Sequence, residues 1–374
     1  MEPLQHETLP DGIRGRFIEA VNGLRMHVLE AGNDGADRPA VLLLHGFPEL
    51  AFSWRKVMLP LAEAGYRVIA PDQRGYGRTS GWEQGYDVDL RPFNMVNLTR
   101  DIVALMGAMD VPKAAAVVGH DFGAAVAAYC AVIRPDLFGK VVLMSAPFSG
   151  PPAFPSPGDA DGAADIHAAL AALDPPRKHY QKYYSTPQAD QDMSRCPQGV
   201  SDFLRGYFHG KSADWPGNDP HPLAAWRADV IAEMPTYYIM KADQTMAETA
   251  ADFMPSLEEI AANAWLTDAE LAVYAGAFSR TGFQGGLNWY RCRFETALLD
   301  ELRLFGGRTI DLPACFIAGE KDWGVYQRPG ALETMQERAF ARMEAAHLVA
   351  GAGHWVQQEQ PEETSRLLLD FLAP

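Results

Sequence analysis

Apolar residues in the first third of the chain fall in short runs separated by longer stretches with helical spacing. Residues 16–22 and 24–29 are strand-like runs on either side of Gly23, which predicts a β-hairpin. Residues 40–44 (AVLLL) are apolar throughout, as in a parallel strand buried on both faces. This alternation predicts βαβ units, with a parallel sheet covered by helices on both faces. The other predicted strands are residues 66–70, 115–118, 141–144, 314–318 and 346–349, and the predicted helices are residues 53–64, 94–109, 122–133, 287–304 and 361–372.

The alternation of strands and helices is interrupted after residue 148. Residues 149–163 are crowded with Pro, Gly and Asp, a composition typical of loops. The segments that follow, up to about residue 285, are rich in Tyr and Trp and are predicted to be helical or irregular, without a strong strand. The alternation resumes at residue 287. We therefore predict an α/β core made of residues 1–148 and 286–374, with a mainly helical cap inserted at residues 149–285.

The charge of the chain excludes some partners. The 374 residues include 48 acidic and 32 basic side chains, a net charge of −16. Binding to nucleic acid needs a basic surface, and a polybasic membrane anchor needs a cluster of Lys and Arg, so neither partner is expected. A soluble, self-repelling surface explains the acidic excess better than metal binding does.

The cysteines are too widely spaced to form a familiar framework. Cys130, Cys196, Cys292 and Cys315 include no CxxC pair, so neither a zinc site nor a disulfide scaffold is predicted. The N-terminal residues lack a signal-peptide pattern, and no apolar run approaches the roughly 18 residues of a membrane span. We expect a cytoplasmic protein with reduced thiols. No phosphate loop, metal pair or dinucleotide fingerprint is found, so no cofactor is expected.

The segment Gly119-His120-Asp121-Phe122-Gly123 joins a predicted strand directly to a predicted helix. Two glycines flanking a central residue form the pattern of a nucleophile elbow, which usually holds serine. An aspartate, with an ordinary pKa of about 3.9, is ionised at neutral pH and can attack a saturated carbon without help from a base. Aspartate at a helix start is also a common N-cap, so this segment alone leaves both interpretations open.

Three further segments supply the partners of such a nucleophile. Phe47 follows the buried strand 40–44, where this architecture places one backbone N–H of an oxyanion hole, and Phe122 supplies the second N–H. Asp322 and His354 each follow a later apolar strand. The order nucleophile, acid, histidine is that of an α/β-hydrolase triad, although a single histidine taken alone would more often be a capping or core residue.

The motifs together resemble the epoxide hydrolases of the α/β-hydrolase fold. This resemblance implies a mostly parallel central sheet with helices on both faces and an inserted, mainly helical cap. It spans most of the core and keeps the order of the family. The matching segments are HGFPE (residues 45–49), SWR (53–55), DQRGYG (72–77), GHDFG (119–123), NWYR (288–291), EKD (320–322) and GHW (353–355).

The resemblance implies a role for each residue of the site. Asp121 attacks an epoxide carbon, and the hydroxyls of two tyrosines donate hydrogen bonds to the epoxide oxygen. His354, oriented by Asp322, activates the water that hydrolyses the ester. Tyr290 matches the second tyrosine through NWYR. Tyr180 is assigned as the first, with Tyr183, Tyr184 and Tyr207 as competitors. Trp54, His120, Pro48 and Trp355 are expected to contact the substrate.

Other activities of the same fold remain alternatives. A haloalkane dehalogenase would hold the halide with Asn at position 47 and Trp at position 122, and a haloacetate dehalogenase would place Arg at 122 and near 125. The chain instead has Phe47, Phe122 and Ala125. Hydrolysis of an ester or lactone, or a non-catalytic binding module, is also possible in this fold. The aromatic cap suggests a bulky apolar or aryl epoxide, and the protein is expected to be a monomer or homodimer.

Overall fold

The computed structural model describes residues 2–4, 8–35, 37–154 and 165–373. The strands are β1 (Arg14–Val21), β2 (Leu24–Ala31), β3 (Ala40–Leu44), β4 (Arg67–Pro71), β5 (Ala114–His120), β6 (Phe138–Met144), β7 (Arg177–His179), β8 (Ile239–Lys241), β9 (Ala314–Gly319) and β10 (Met343–Val349). The α-helices outside the segment between β6 and β9 are α1 (Arg55–Glu63), α2 (Met95–Ala108), α3 (Phe122–Ile133), α14 (Ala331–Thr334), α15 (Val356–Glu359) and α16 (Pro361–Leu372). Between β6 and β9 lie α4 (Ile166–Ala171), α5 (Tyr180–Tyr184), α6 (Ala189–Ser194), α7 (Gly199–Lys211), α8 (Ala228–Ile231), α9 (Met246–Ala251), α10 (Leu257–Ala262), α11 (Asp268–Thr281), α12 (Gln284–Arg291) and α13 (Thr296–Arg303).

The large sheet has the strand order β1-β2-β4-β3-β5-β6-β9-β10. The first two pairings, β1 with β2 and β2 with β4, are antiparallel, and the others are parallel. Strand β3 and the side chains of β9 are buried, as expected where helices cover both faces. The carboxyl ends of parallel strands meet at one edge of a sheet, and ligand sites of α/β folds lie there. The segments that follow β3, β5, β9 and β10 are thereby brought together.

The predicted strands of the core are all present, and the predictions 40–44, 122–133 and 361–372 match β3, α3 and α16 to the residue. The single helix predicted at residues 287–304 is wrong. Two helices, α12 and α13, are separated by a 3-10 turn (Cys292–Phe294) and by Glu295, whose backbone is extended with φ −98° and ψ 106°. The apolar periodicity continues across this break, and therefore the sequence did not reveal it.

The inserted segment contains a small sheet that was not predicted. Strands β7 and β8 pair antiparallel over three residues each, with His179 opposite Ile239. Three residues are too few to show an alternating pattern, and β7 reads Arg-Lys-His. The rest of the described insertion consists of helices and irregular segments, as predicted. Of the loop predicted at residues 149–163, residues 155–163 lie outside the described part of the chain.

Cysteine, metal and membrane features were surveyed over the same residues. The four cysteines are buried and carry free thiols. No group of three or more His, Cys, Asp or Glu among the described residues is arranged to hold a metal ion. Within those ranges, too, no helix combines the length and the apolar character needed to cross a membrane.

Candidate active site

Asp121 lies alone between the end of β5 and the start of α3. Its backbone has φ 53° and ψ −119°, a conformation that residues with a side chain rarely adopt. The flanking glycines make the turn possible because the backbone packs against itself. A Cβ atom on Gly119 would lie 2.0 Å from the carbonyl oxygen of Gly123, and one on Gly123 would lie 2.2 Å from that of Leu44. The predicted elbow therefore has the strained geometry that its sequence pattern implies.

Replacing Gly123 by alanine is expected to destabilise the protein by about 1–3 kcal/mol or more, because backbone atoms cannot yield to the new methyl group. The matched control is Gly276→Ala in α11. A Cβ atom there meets nothing within 4 Å, so the higher helix propensity of alanine should stabilise by about 0.5–1 kcal/mol. Urea unfolding of both variants measures the two free energies. Equal effects at the two positions would contradict the close packing of the elbow.

The carboxylate of Asp121 faces away from its own helix. It makes no capping hydrogen bond to α3, which removes the N-cap interpretation. Its Oδ1 accepts a hydrogen bond of 2.9 Å from the backbone N–H of Phe47. Its Oδ2 lies 3.5 Å from Nε2 of His354, and 13% of its side chain is exposed. Asp121 is thus held between the segment after β3 and the histidine after β10.

The Nδ1 atom and the carbonyl group of His354 are hydrogen-bonded, whereas its Nε2 atom faces Asp121. Its Nδ1 lies 3.0 and 3.1 Å from the two carboxylate oxygens of Asp322, which places the Nδ1 proton on that side. Its carbonyl accepts hydrogen bonds from His120 at 2.7 Å and from Ser145 at 3.1 Å. Its Nε2 is buried without a hydrogen-bond partner among the described residues. The free nitrogen can therefore exchange a proton with a reactant beside Asp121.

The electrostatics of the pair favour two opposite charges. Burial raises the pKa of Asp121, but the imidazole of His354, with help from His120 and Lys211, outweighs burial and holds this pKa below its usual range. Burial lowers the pKa of His354, but the carboxylates of Asp322 and Asp121 outweigh it and raise the pKa to about 9. At neutral pH the free enzyme therefore holds an ionised Asp121 beside a protonated His354.

The two residues predicted to supply the oxyanion N–H groups, Phe47 and Phe122, are covered by the ring of Tyr290. Phe122 is the first residue of α3, so its N–H has no acceptor within the helix. The ring of Tyr290 packs edge-on against Phe122 at 4.9 Å and against Phe47 at 5.6 Å between centroids. Its hydroxyl has no hydrogen-bond partner in the described part of the chain. Tyr290 therefore lies over both oxyanion donors with a free hydroxyl.

Tyr180 lies beside Tyr290, with 6.0 Å between the ring centroids. Its hydroxyl donates to Oε1 of Gln327 at 2.9 Å and accepts from Nε2 of Gln181 at 3.0 Å. Burial, with a smaller contribution from Asp121, raises the pKa of both phenols, so both stay protonated at neutral pH. Both hydroxyls are thus neutral, that of Tyr290 without a partner among the described residues and that of Tyr180 donating to Gln327.

Of the competing tyrosines, Tyr183 and Tyr184 donate their hydroxyl protons within the protein, and Tyr207 accepts one of these hydrogen bonds. The hydroxyl of Tyr183 donates to Asp192 at 2.8 Å. The hydroxyl of Tyr184 donates to that of Tyr207 at 3.2 Å. The ring of Tyr184 nevertheless packs against Phe47 at 5.2 Å and forms part of the wall of the site.

The chain was compared with families, curated proteins and solved structures. A family model described as alpha/beta hydrolase fold matches residues 39–361. Epoxide hydrolase B of Mycobacterium tuberculosis is 36% identical over 355 residues, which cover 94% of this chain and 96% of that protein. A structure of an epoxide hydrolase from an endophytic Streptomyces aligns with a TM-score of 0.77 and 31% identity, covering 97% of this chain and 96% of that one. Potato epoxide hydrolase I aligns with a TM-score of 0.72 and 30% identity, covering 96% of this chain and 99% of that one. The chain belongs to the epoxide hydrolase family.

The α/β-hydrolase fold and the epoxide hydrolase activity expected from the motifs are thereby confirmed.

In this epoxide hydrolase, the four residues expected to contact substrate are all buried. Both ring nitrogens of His120 are bonded within the protein, to Glu49 at 2.5 Å and to the carbonyl of His354. Trp355 packs against His354 at 4.7 Å, and its indole N–H donates to Phe208. Pro48 directly follows the oxyanion donor. The indole N–H of Trp54 has no partner among the described residues.

Three side chains of the epoxide hydrolase site were not predicted. Glu49 accepts the N–H of Gly46 at 2.9 Å and so fixes the oxyanion segment. It lies in the HGFPE motif, which was the available signal. Gln327 accepts from Tyr180, and no sequence pattern marks it. Lys211 is buried in the inserted segment, and nothing in the sequence separates it from the other lysines there, Lys178, Lys182 and Lys241.

Proposed function

We propose that this chain converts an epoxide to a vicinal diol in two steps through an ester on Asp121. The observation that carries the proposal is the ionised carboxylate at the elbow, 3.5 Å from Nε2 of His354. A carboxylate needs no base to attack a saturated carbon, whereas the esters of acyl-transfer substrates call for an activated hydroxyl or thiol. The direct test is diol formation from an aryl epoxide such as styrene oxide. Halide release from a haloalkane, without diol formation, would favour a dehalogenase instead.

In the first step, the Oδ2 atom of Asp121 forms a bond to an epoxide carbon, and the bond from that carbon to the ring oxygen breaks. The ring oxygen leaves with the electron pair and takes a proton from Tyr180 or Tyr290. The raised pKa values of these phenols suit the task. Both hydroxyls keep their protons at neutral pH until the ring oxygen, which becomes a strongly basic alkoxide, develops beside them. The intermediate is a hydroxyalkyl ester beside a tyrosinate.

The second step depends on the loss of the negative charge of Asp121 when the ester forms. The carboxylate helped to raise the pKa of His354, so its conversion to a neutral ester lowers that pKa. His354 then releases its proton, through solvent, to the tyrosinate. The neutral imidazole takes a proton from water, and the hydroxide attacks the ester carbonyl, whose oxyanion the N–H groups of Phe47 and Phe122 can hold. Collapse of this intermediate breaks the bond between the ester carbonyl carbon and the alkyl oxygen, and the leaving alkoxide takes the proton of the newly formed carboxylic acid. The diol is released, with Asp121 ionised and His354 protonated as at the start.

We also propose the domain division made from the sequence, with residues 149–285 as the cap between core segments 1–148 and 286–374. The boundary at residues 285 and 286 falls inside α12, so the helix that carries Tyr290 begins at the junction. The aromatic rings of Phe47, Phe122 and Tyr184 around the nucleophile support a bulky apolar or aryl group on the epoxide. The free buried thiols support a cytoplasmic location.

Replacing Tyr290 by phenylalanine is expected to slow ester formation on the order of 10²-fold, as the loss of one oxyanion donor does. The hydroxyl has no partner in the described structure, so its removal should leave the fold intact. Single-turnover kinetics measure the alkylation rate. Tyr183→Phe is the matched control, because that hydroxyl bonds to Asp192. An unchanged rate in Tyr290→Phe would remove this tyrosine from the mechanism.

A further inference from the structure

Lys211, the last residue of α7, carries a buried ammonium group. Only 4% of the residue is exposed. Its Nζ atom lies within 6 Å of the ring centroids of four tyrosines, which we call the tyrosine cage: 4.3 Å from Tyr238, 4.7 Å from Tyr207, 5.5 Å from Tyr237 and 5.6 Å from Tyr180. The ammonium makes no hydrogen bond or salt bridge to any of the described residues. Lys211 is thus surrounded by ring faces and lacks an acceptor.

In this arrangement the N–H donors of the ammonium have no hydrogen-bond acceptor among the described residues. An ammonium has three N–H donors and no acceptor. Ring faces attract its charge, but they do not replace hydrogen bonds. Burial lowers the pKa of Lys211 to about 8, even though Asp121 and Asp322 favour its charged form. The group therefore remains mostly charged at neutral pH, and an acceptor brought by a ligand would complete its surroundings.

The tyrosine cage belongs to the same site as the nucleophile. Its member Tyr180 lies beside Tyr290, over the oxyanion donors. Its member Tyr207 bonds to Tyr184, whose ring packs against Tyr290 at 5.0 Å. The backbone fixes the distance between the two centres, because the carbonyl of Lys211 accepts the N–H of His354 at 2.8 Å. A molecule that reaches both Asp121 and Tyr180 therefore lies next to a ring that the ammonium of Lys211 contacts at 5.6 Å.

We propose that Lys211 is a specificity-determining residue that binds a carboxylate carried by the epoxide a few bonds from the oxirane ring. This inference rests on the proposed epoxide hydrolysis and narrows its substrate class. An aryl or alkyl group can still pack against the rings of Phe47, Phe122 and Tyr184, while the carboxylate accepts hydrogen bonds from the ammonium of Lys211. The net charge of −16 repels anions at long range, but salt screens that repulsion beyond about 10 Å, whereas a buried ammonium acts at contact distance.

The test uses pairs of short epoxides that carry either a carboxylate or the isosteric uncharged primary amide, at several chain lengths from the ring. For each pair, the ratio of kcat/KM for the acid to kcat/KM for the amide is measured. We expect the wild-type protein to prefer the acid at one chain length by roughly 10- to 100-fold, the size of a hydrogen bond to a charged group. Lys211→Met is expected to lose this preference. The matched control is Lys241→Met in the cap, where the side chain is 44% exposed and pairs with Asp252, and it should keep the preference.

Two results would overturn the inference. One is a wild-type protein that prefers the amide at every chain length, which needs no variant and so does not depend on whether Lys211→Met folds. The other is a Lys211→Met protein that loses activity on acid and amide equally and keeps their ratio, which would make Lys211 a general electrostatic or structural group. Lys211→Gln serves as a second variant. Failure of styrene oxide and both members of every pair to give diol would instead refute the proposed function.

Discussion

Replacing Asp121 by alanine is expected to reduce epoxide turnover by on the order of 10⁴- to 10⁶-fold, the loss seen when the nucleophile of a hydrolase is removed. No other described carboxylate takes its place, since both carboxylate oxygens of Asp322 lie within hydrogen-bond distance of Nδ1 of His354. The measurement is diol formation from a panel of epoxides under saturating conditions. A variant that keeps more than a tenth of the wild-type rate would show that water attacks the epoxide without an ester.

The control for this variant is Asp136→Ala. Asp136 lies just after α3, is 60% exposed and pairs with Arg134, so its removal changes the net charge equally without touching the site.

Hydrolysis in isotopically labelled water gives an independent test of the ester on Asp121. In a single turnover in H₂¹⁸O, the oxygen added to the diol comes from Asp121, and the label enters the carboxylate instead. Label in the first-turnover diol would argue against the ester even if Asp121→Ala is inactive.

The sequence predicts the parts of the site that follow apolar strands. Phe47, Asp121 and Asp322 follow the buried strands β3, β5 and β9, His354 follows the less buried β10, and parallel strands bring their carboxyl ends to one edge. The glycines around Asp121 add a local requirement, because the elbow leaves no room for a side chain. Local sequence and sheet topology therefore suffice to identify these residues.

The rest of the site depends on contacts between distant segments, and these leave no local pattern. Gln327 meets Tyr180 across 147 positions of sequence. The tyrosine cage of Lys211 joins α5, α7 and the segment before β8, none of which has a distinctive sequence. The break between α12 and α13 at Glu295 likewise leaves no local pattern, because the apolar periodicity continues across it. Among ten or more aromatic residues of the cap, only the three-dimensional structure separates those that face Asp121 from those that pack the interior.

The charges of the site assign different steps to Asp121 and His354. Asp121 attacks while His354 is protonated, and His354 acts as a base only after the ester has neutralised Asp121. Variants of the two residues should therefore fail at different points of the reaction. Loss of Asp121 prevents the intermediate from forming, whereas loss of His354 prevents it from breaking down.

Replacing His354 by glutamine is expected to trap the ester. Glutamine has no basic nitrogen, so hydrolysis should slow by about 10²- to 10⁴-fold, the contribution of a general base. Ring opening continues, because the N–H of Phe47 and the ammonium of Lys211 still favour an ionised Asp121. Intact-protein mass spectrometry after incubation with an epoxide should show a gain equal to one substrate molecule, and fragmentation should assign it to the peptide that contains Asp121. The double variant Asp121→Ala, His354→Gln should show no gain. Many turnovers by His354→Gln without an adduct would mean that water reaches the epoxide without the carboxylate.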